Sequence, residues 1–215
     1  MQLKHQWIGP DVDYQRALEI QLERVDLVLE GKSGNQLLSM EHRPVYTIGR
    51  TRDQTSLGAN ATLLPHPVVE INRGGQATYH GPGQLTGYPI VDLRPLGKDL
   101  HAYIRLLEDA LIITCGEYGV RADRRDGLTG VWVDDRKLAS IGVGVRKWIT
   151  MHGFAINLTR ASLLGFQSIT PCGIDGVTMT CLESECGSAV DVEGFAHRCA
   201  PHLDRLLGGM RAKHA

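Results

Sequence analysis

Along residues Asp11 to Glu30 the apolar side chains Ala17, Leu18, Leu22, Val25 and Leu29 recur at helical spacing, and Gly31 follows as a C-cap, which predicts an amphipathic helix. Asn35 to His42 and Val45 to Gly49 alternate in part and are divided by Pro44, the pattern of two short strands; the polar residues Gly49 to Asn60 predict a loop. Val68 to Ile71 and Leu85 to Leu93 read as further strands. The segment between them, Arg73-Gly74-Gly75-Gln76-Ala77-Thr78-Tyr79-His80-Gly81-Pro82-Gly83-Gln84, reads as one shaped loop, because its glycines and proline set unusual backbone angles. Leu100 to Tyr118 places Tyr103, Ile104, Leu107, Ala110, Leu111 and Thr114 on one helical face. Thr129 to Val133, Lys137 to Val145 and Trp148 to Leu158 are β-branched runs separated by short polar turns, hence hairpins. After a Gly/Thr-rich stretch from Ile169 to Cys181, Val190 to Leu207 predicts a closing helix. Strands and helices segregate, so the expected class is α+β, helices packed on a mainly antiparallel or mixed sheet.

Composition narrows the partners. With 215 residues, no repeat and no low-complexity linker, residues 1–215 are expected to form a single domain. A net charge of -1 and a pI near 6.7 give no overall field for nucleic acid or an anionic membrane, and no apolar run reaches 18 residues. Five cysteines at irregular spacing suit a reduced, cytoplasmic chain better than a disulfide framework. Charge is nonetheless segregated. Residues 121–147 carry seven basic against four acidic residues (+3), and residues 160–193 carry one against five (-4), so the first stretch reads either as a docking face for an acidic partner or as a solvated hairpin face.

Three places hold candidate chemistry. The loop from Arg73 to His80 offers backbone N–H groups, a fixed cation and a titratable ring; its alternative reading is a tight structural turn. It is no phosphate-gripping P-loop, since no Gly-Lys-Ser/Thr ending opens a helix. Cys172, between Pro171 and Gly173, stands where a thiol can be presented at a loop tip. A free thiol near its usual pKa of about 8.5 is only a few per cent thiolate at neutral pH, and a nearby cation raises that fraction. Lys137, just past Asp134-Asp135-Arg136, is either a solvated hairpin residue or, on an inner strand, such a cation. Cys181, Cys186 and His197 match zinc spacing poorly, so no metal is expected.

Taken together, Arg73 to Gln84, Arg136-Lys137-Leu138-Ala139-Ser140-Ile141-Gly142 and Thr170-Pro171-Cys172-Gly173-Ile174 resemble the lipoyl(octanoyl) transferase family in order and spacing. Glu41 to Gly49 and His152-Gly153-Phe154-Ala155-Ile156-Asn157 are similar as well, and Met179-Thr180-Cys181-Leu182 departs from the pattern. The resemblance implies a catalytic domain like those of biotin and lipoate protein ligases. It implies transfer of an octanoyl or lipoyl group from octanoyl-acyl carrier protein to one lysine of a lipoyl domain, in 2-oxoacid dehydrogenases and the glycine cleavage H protein, with no cofactor and no ATP. Cys172 and Lys137 match the family's dyad. Arg73, Gly74, Gly75, Gln76, Ala77, Thr78, Tyr79 and His80, with Ser140, Ile141, Gly142, Gly153, Phe154 and Ala155, match its substrate-binding stretches. A monomer is expected.

Overall fold

The computed structural model describes residues 2–50, 54–57, 64–169 and 177–212. It opens with a strand that the apolar pattern does not mark, β1 (Lys4–Val12). The strand is largely polar and half-exposed, and Gly9 (φ +127°) and Asp11 (φ +58°) break its register, so alternation is lost while pairing is kept. Asp13 then caps α1 (Tyr14–Leu29) by accepting the Arg16 N–H at 3.0 Å, and Gly31 at φ +70° lets the chain leave it.

The principal sheet contains β1, β2 (Gln36–His42), β6 (Gln84–Ile90), β7 (Asp123–Arg125), β8 (Leu128–Val133), β9 (Arg136–Arg146), β10 (Ile149–Asn157) and the two-residue β11 (Thr178–Met179). Its order is β1-β2-β6-β10-β9-β8-β7, with β11 against the start of β9. The β1–β2 and β9–β11 pairs are parallel and the rest antiparallel, as the α+β expectation required.

Alternation along these strands sorts side chains to two cores. Leu37, Leu85 and Ile156 join the cluster that also holds Leu107 and Leu111 of α2 (Leu100–Glu117) and Phe195 and Leu203 of α4 (Val192–Ala212). Leu38, Met40, Ile90 and Met151 meet Ala17, Val25 and Val28 of α1 on the opposite face. Each such side chain contributes about 1.5–3 kcal/mol on full burial, enough to fix strand register. α3 (Leu182–Cys186) is a single short turn after β11.

A second sheet departs from expectation. β3 (Val45–Ile48) lies between β4 (Val68–Glu70) and β5 (Thr78–His80). The segment from Arg73 to Gln84 is therefore not one loop: Thr78-Tyr79-His80, good strand formers hidden among glycines, pair with Thr47, Tyr46 and Val45. Tyr46, Tyr79 and Phe166 pack beneath this small sheet, and the Tyr46 hydroxyl donates to Gly165 O at 3.1 Å.

Candidate active site

A pocket, open at its mouth, lies where the small sheet and the start of α1 approach the main sheet. Its floor is made low by residue size: Ser140 and Gly142 of β9, Gly153 and Ala155 of β10 and Thr86 of β6 carry little or no side chain above the pleat. Glycine is required at Gly142, where a Cβ would stand 2.9 Å from Arg73 Cδ and 3.0 Å from Gly74 O. Arg73, Gly75, Gln76, Thr78 and His80 form one wall, and Tyr14, Tyr88 and His152 complete it. Apolar lining with a few convergent polar groups is the usual character of a small-ligand site.

The wall is fixed by buried hydrogen bonds. Arg73 Nη2 donates to Thr47 O (3.1 Å) and Thr47 Oγ1 (2.8 Å), and Arg73 Nη1 donates to Gly74 O (2.9 Å), so this cation is a buried brace for the loop. Gln84 Nε2 donates to Tyr79 O and Asn157 Oδ1, both at 3.0 Å, which leaves Gln84 Oε1 to accept from His80 Nδ1 at 2.8 Å. His80 Nε2 is then an acceptor facing the Thr47 hydroxyl at 3.4 Å. Burial, with His42, Arg73 and His152 around it, pushes the His80 pKa well below the usual imidazole range, so its ring is a neutral strut. His42 Nδ1 donates to Val12 O (3.1 Å) and accepts the Tyr88 hydroxyl at Nε2 (2.7 Å); burial lowers its pKa to about 4.

Asn157 carries the network to the other end of the sheet. Its Nδ2 donates to Thr180 O at 3.0 Å, and the Thr180 N–H donates to Lys137 O at 3.0 Å. Lys137, at the start of β9, is only 2% exposed, which excludes the solvated hairpin residue. Room for its stem comes from Gly130 (φ +133°), where a Cβ would meet Lys137 Cε at 3.0 Å and Ala139 O at 2.5 Å. Its Nζ lies 5.2 Å from the Trp132 ring centroid.

Of the residues the sequence singled out, Gly74, Ala77 and Tyr79 stand behind the wall: Gly74 N–H donates to Val143 O, Ala77 N–H to Ser56 Oγ, and the Tyr79 ring belongs to the small sheet's core. Arg73, Gly75, Gln76, Thr78, His80, Ser140, Ile141, Gly142, Gly153, Phe154 and Ala155 all line the pocket. Cys172, with the rest of Thr170 to Ile174, lies outside the described residues. Among the described cysteines, burial pushes the Cys115 and Cys199 thiols up to about 12, which leaves them protonated and inert.

Tyr14, Thr86, Tyr88 and His152 were not singled out as site residues. Tyr14 and Tyr88 sit in ordinary amphipathic patterns that carry no signal of a pocket. His152 had one, since it directly precedes the Gly153-Phe154-Ala155 stretch. It is buried at φ +56°, both its ring nitrogens lack a hydrogen-bond partner among the described residues, and burial with Arg73 nearby lowers its pKa to about 4. The basic docking face is also altered. Arg124 is tied to Glu108 (2.7 Å) and Asp109 (2.6 Å), Arg146 to Asp26 (2.8 Å), and Arg136 to Glu185 (2.9 Å) of the acidic stretch itself. Folding therefore pairs off much of the charge that sequence distance had separated.

Residues 13–204 match the family model described as the lipoyl protein ligase A/B catalytic domain. The chain is 50% identical over 198 residues to an octanoyltransferase of Geobacter metallireducens, covering 91% of this chain and 90% of that protein. It is 45% identical over 198 residues to the octanoyltransferase of Pelobacter propionicus, covering 91% of each. Among solved structures it superposes on a bi-partite lipoate protein ligase of Thermoplasma acidophilum with a TM-score of 0.67 at 14% identity, covering 97% of this chain and 84% of that one. On the biotin protein ligase of Aquifex aeolicus the TM-score is 0.59 at 13% identity, covering 99% of this chain and 72% of that one. The last two likenesses speak for the fold and the first two for the branch: the chain belongs to the lipoyl protein ligase A/B catalytic-domain family, among its octanoyltransferases.

Proposed function

We propose that this chain, as a single catalytic domain, transfers an octanoyl group from octanoyl-acyl carrier protein to a specific lysine of a lipoyl domain through a thioester on Cys172. The observation that carries the proposal is a glycine-floored apolar groove that begins at Ser140, three residues along β9 from a buried lysine, Lys137. Chain connectivity supports pairing that lysine with Cys172. Ile169 and Met179 both pack on the Tyr46–Tyr79 cluster, and Met179 is the register partner of Lys137, so Cys172 is tethered three residues from one and seven from the other. Three residues span at most about 10 Å.

In this mechanism the Lys137 ammonium favours the Cys172 thiolate, which attacks the thioester carbonyl of the carrier's arm. The carbon–sulfur bond to the carrier breaks, its thiolate leaves, and the octanoyl chain lies along the groove. The amine of the target lysine then attacks the new thioester; an amide forms, Cys172 leaves as thiolate beside the Lys137 ammonium, and the proton that the amine gives up passes to solvent. Backbone N–H groups beside the groove can hold the oxyanion, each worth about 3–4 kcal/mol in acyl transfer. Because activation is already stored in the thioester, no nucleotide takes part. The acceptors we infer are the lipoyl domains of 2-oxoacid dehydrogenases and the glycine cleavage H protein, and the enzyme acts as a cytoplasmic monomer. No helix among the described residues is long and apolar enough to cross a membrane.

Intact-protein mass spectrometry after mixing with octanoyl-carrier protein tests this. The wild-type chain gains one octanoyl group, loses it on addition of a lipoyl domain, and Cys172→Ser gains none. Full transfer by Cys172→Ser, or turnover that requires ATP and free octanoate, overturns the proposal.

A further inference from the structure

We propose that Trp132 is a positioning residue for Lys137, its indole face holding the ammonium where it serves the nucleophile; this rests on the Cys172–Lys137 reading above. Trp132 is 1% exposed on β8, the register partner of Lys137 across the β8–β9 pair. Lys137 Nζ stands 5.2 Å from the ring centroid, and the exposed Arg125 places its guanidinium carbon 5.1 Å from the same centroid. An aromatic face attracts a cation within about 6 Å, indole most strongly, and a neutral amine gains little from it.

A second observation argues that the π face is what the position needs. Trp132 Nε1 is buried with no acceptor among the described residues. An unsatisfied buried N–H is costly, and a phenyl or aliphatic side chain would avoid that cost, so packing alone gives no reason for an indole here. Gly130, two residues earlier on the same strand, leaves space for the lysine stem, so β8 supplies both the slot and the ring.

The test reads the thiolate of Cys172 by peptide-resolved iodoacetamide labelling from pH 5 to 10, without substrate. Trp132→Leu, which keeps an apolar side chain and removes the ring, should raise the labelling midpoint by roughly half a unit to one and a half units, whereas Trp132→Phe should move it by less than half as much. In a Lys137→Met background the Trp132→Leu change should add no further shift. A variant whose octanoyl transfer falls while its midpoint stays put would show a merely structural role and overturn the inference, as would a shift that persists without Lys137. Should Trp132→Leu not fold, biosynthetic fluorination of the indoles weakens the π face with little change of shape. The midpoint should then climb with fluorine number, in the chain with Lys137 and not in Lys137→Met; a constant midpoint overturns the inference. The proposed transfer reaction fails separately, by the absence of an octanoyl adduct on wild-type Cys172.

Discussion

Glu108, in the middle of α2, has no exposed side-chain surface, yet it is the junction of three donors. Its Oε2 takes Arg124 Nε and Arg105 Nη1, each at 2.7 Å, and its Oε1 takes the Gly130 N–H at 3.0 Å. Glu108→Ala would leave a buried backbone N–H without an acceptor, at about 1–3 kcal/mol, and break an ion pair whose carboxylate is wholly desolvated, a class of change that costs about 3–5 kcal/mol in total. Because Arg124 and Arg105 keep 31% and 50% of their side-chain surface exposed and can rehydrate, we expect the low end, about 3 kcal/mol. For a chain of this size that lowers Tm by about 6–12 °C. Glu108→Gln keeps an acceptor for Gly130 and should lose about half as much, while Arg105→Ala should lose less than about 1 kcal/mol. Urea denaturation of the three variants measures the series. Since Gly130 makes the slot for Lys137, Glu108→Ala should also slow octanoyl transfer by more than its loss of folded protein explains. A Glu108→Ala chain within about 1 kcal/mol of wild type would refute the claim that this carboxylate organises the β8 end of the site.

Gly142→Ala places a methyl 2.9 Å from Arg73 Cδ, and Arg73 is held by Thr47 and Gly74, so the groove must narrow. Steady-state kinetics should show KM for the octanoyl donor rising about ten-fold with a Tm change of only a few degrees; an unchanged KM would place the acyl chain elsewhere. Acid should destabilise the fold before carboxylates titrate. His42 and His152 titrate near pH 4 in the folded chain and near their ordinary 6.5 unfolded, so below 6.5 the unfolded state takes up protons that the folded state does not. Stability therefore falls as pH drops from 6.5 towards 4, by about 2 kcal/mol per ring at pH 5, and falls no further from these groups below 4. Urea midpoints measured between pH 7 and 5 check this, and a flat profile would contradict it.

How much of this could be read before the structure depended on whether the signal was local. The faces of α1 and α2 follow from spacing because each helix packs on one core, with Leu22 of α1 the exception that stays exposed, and β8 to β10 follow from their β-branched runs. β1 and β5 escaped for opposite reasons: β1 is a broken, polar edge, and β5 is three residues long among glycines that dominate any reading of composition. The family motifs marked most of the pocket, since Ser140-Ile141-Gly142 and Gly153-Phe154-Ala155 are contiguous runs on neighbouring strands. What could not be read was whatever depends on pairing across the sheet. Trp132 and Gly130 touch Lys137 through the β8–β9 register, and Glu108 reaches Gly130 from a helix 22 residues earlier in the chain. The same limit explains the overestimated basic face: Arg136 and Glu185 lie 49 residues apart in sequence and 2.9 Å apart in space, so a charge sum over a window counts as free what the fold has already neutralised. A docking surface for an acidic carrier protein must accordingly be sought among exposed cations such as Arg125 rather than in the net charge of the stretch that contains them, and Arg125 shares the indole that holds Lys137. A partner carboxylate that drew Arg125 off that ring would leave the indole to Lys137 alone.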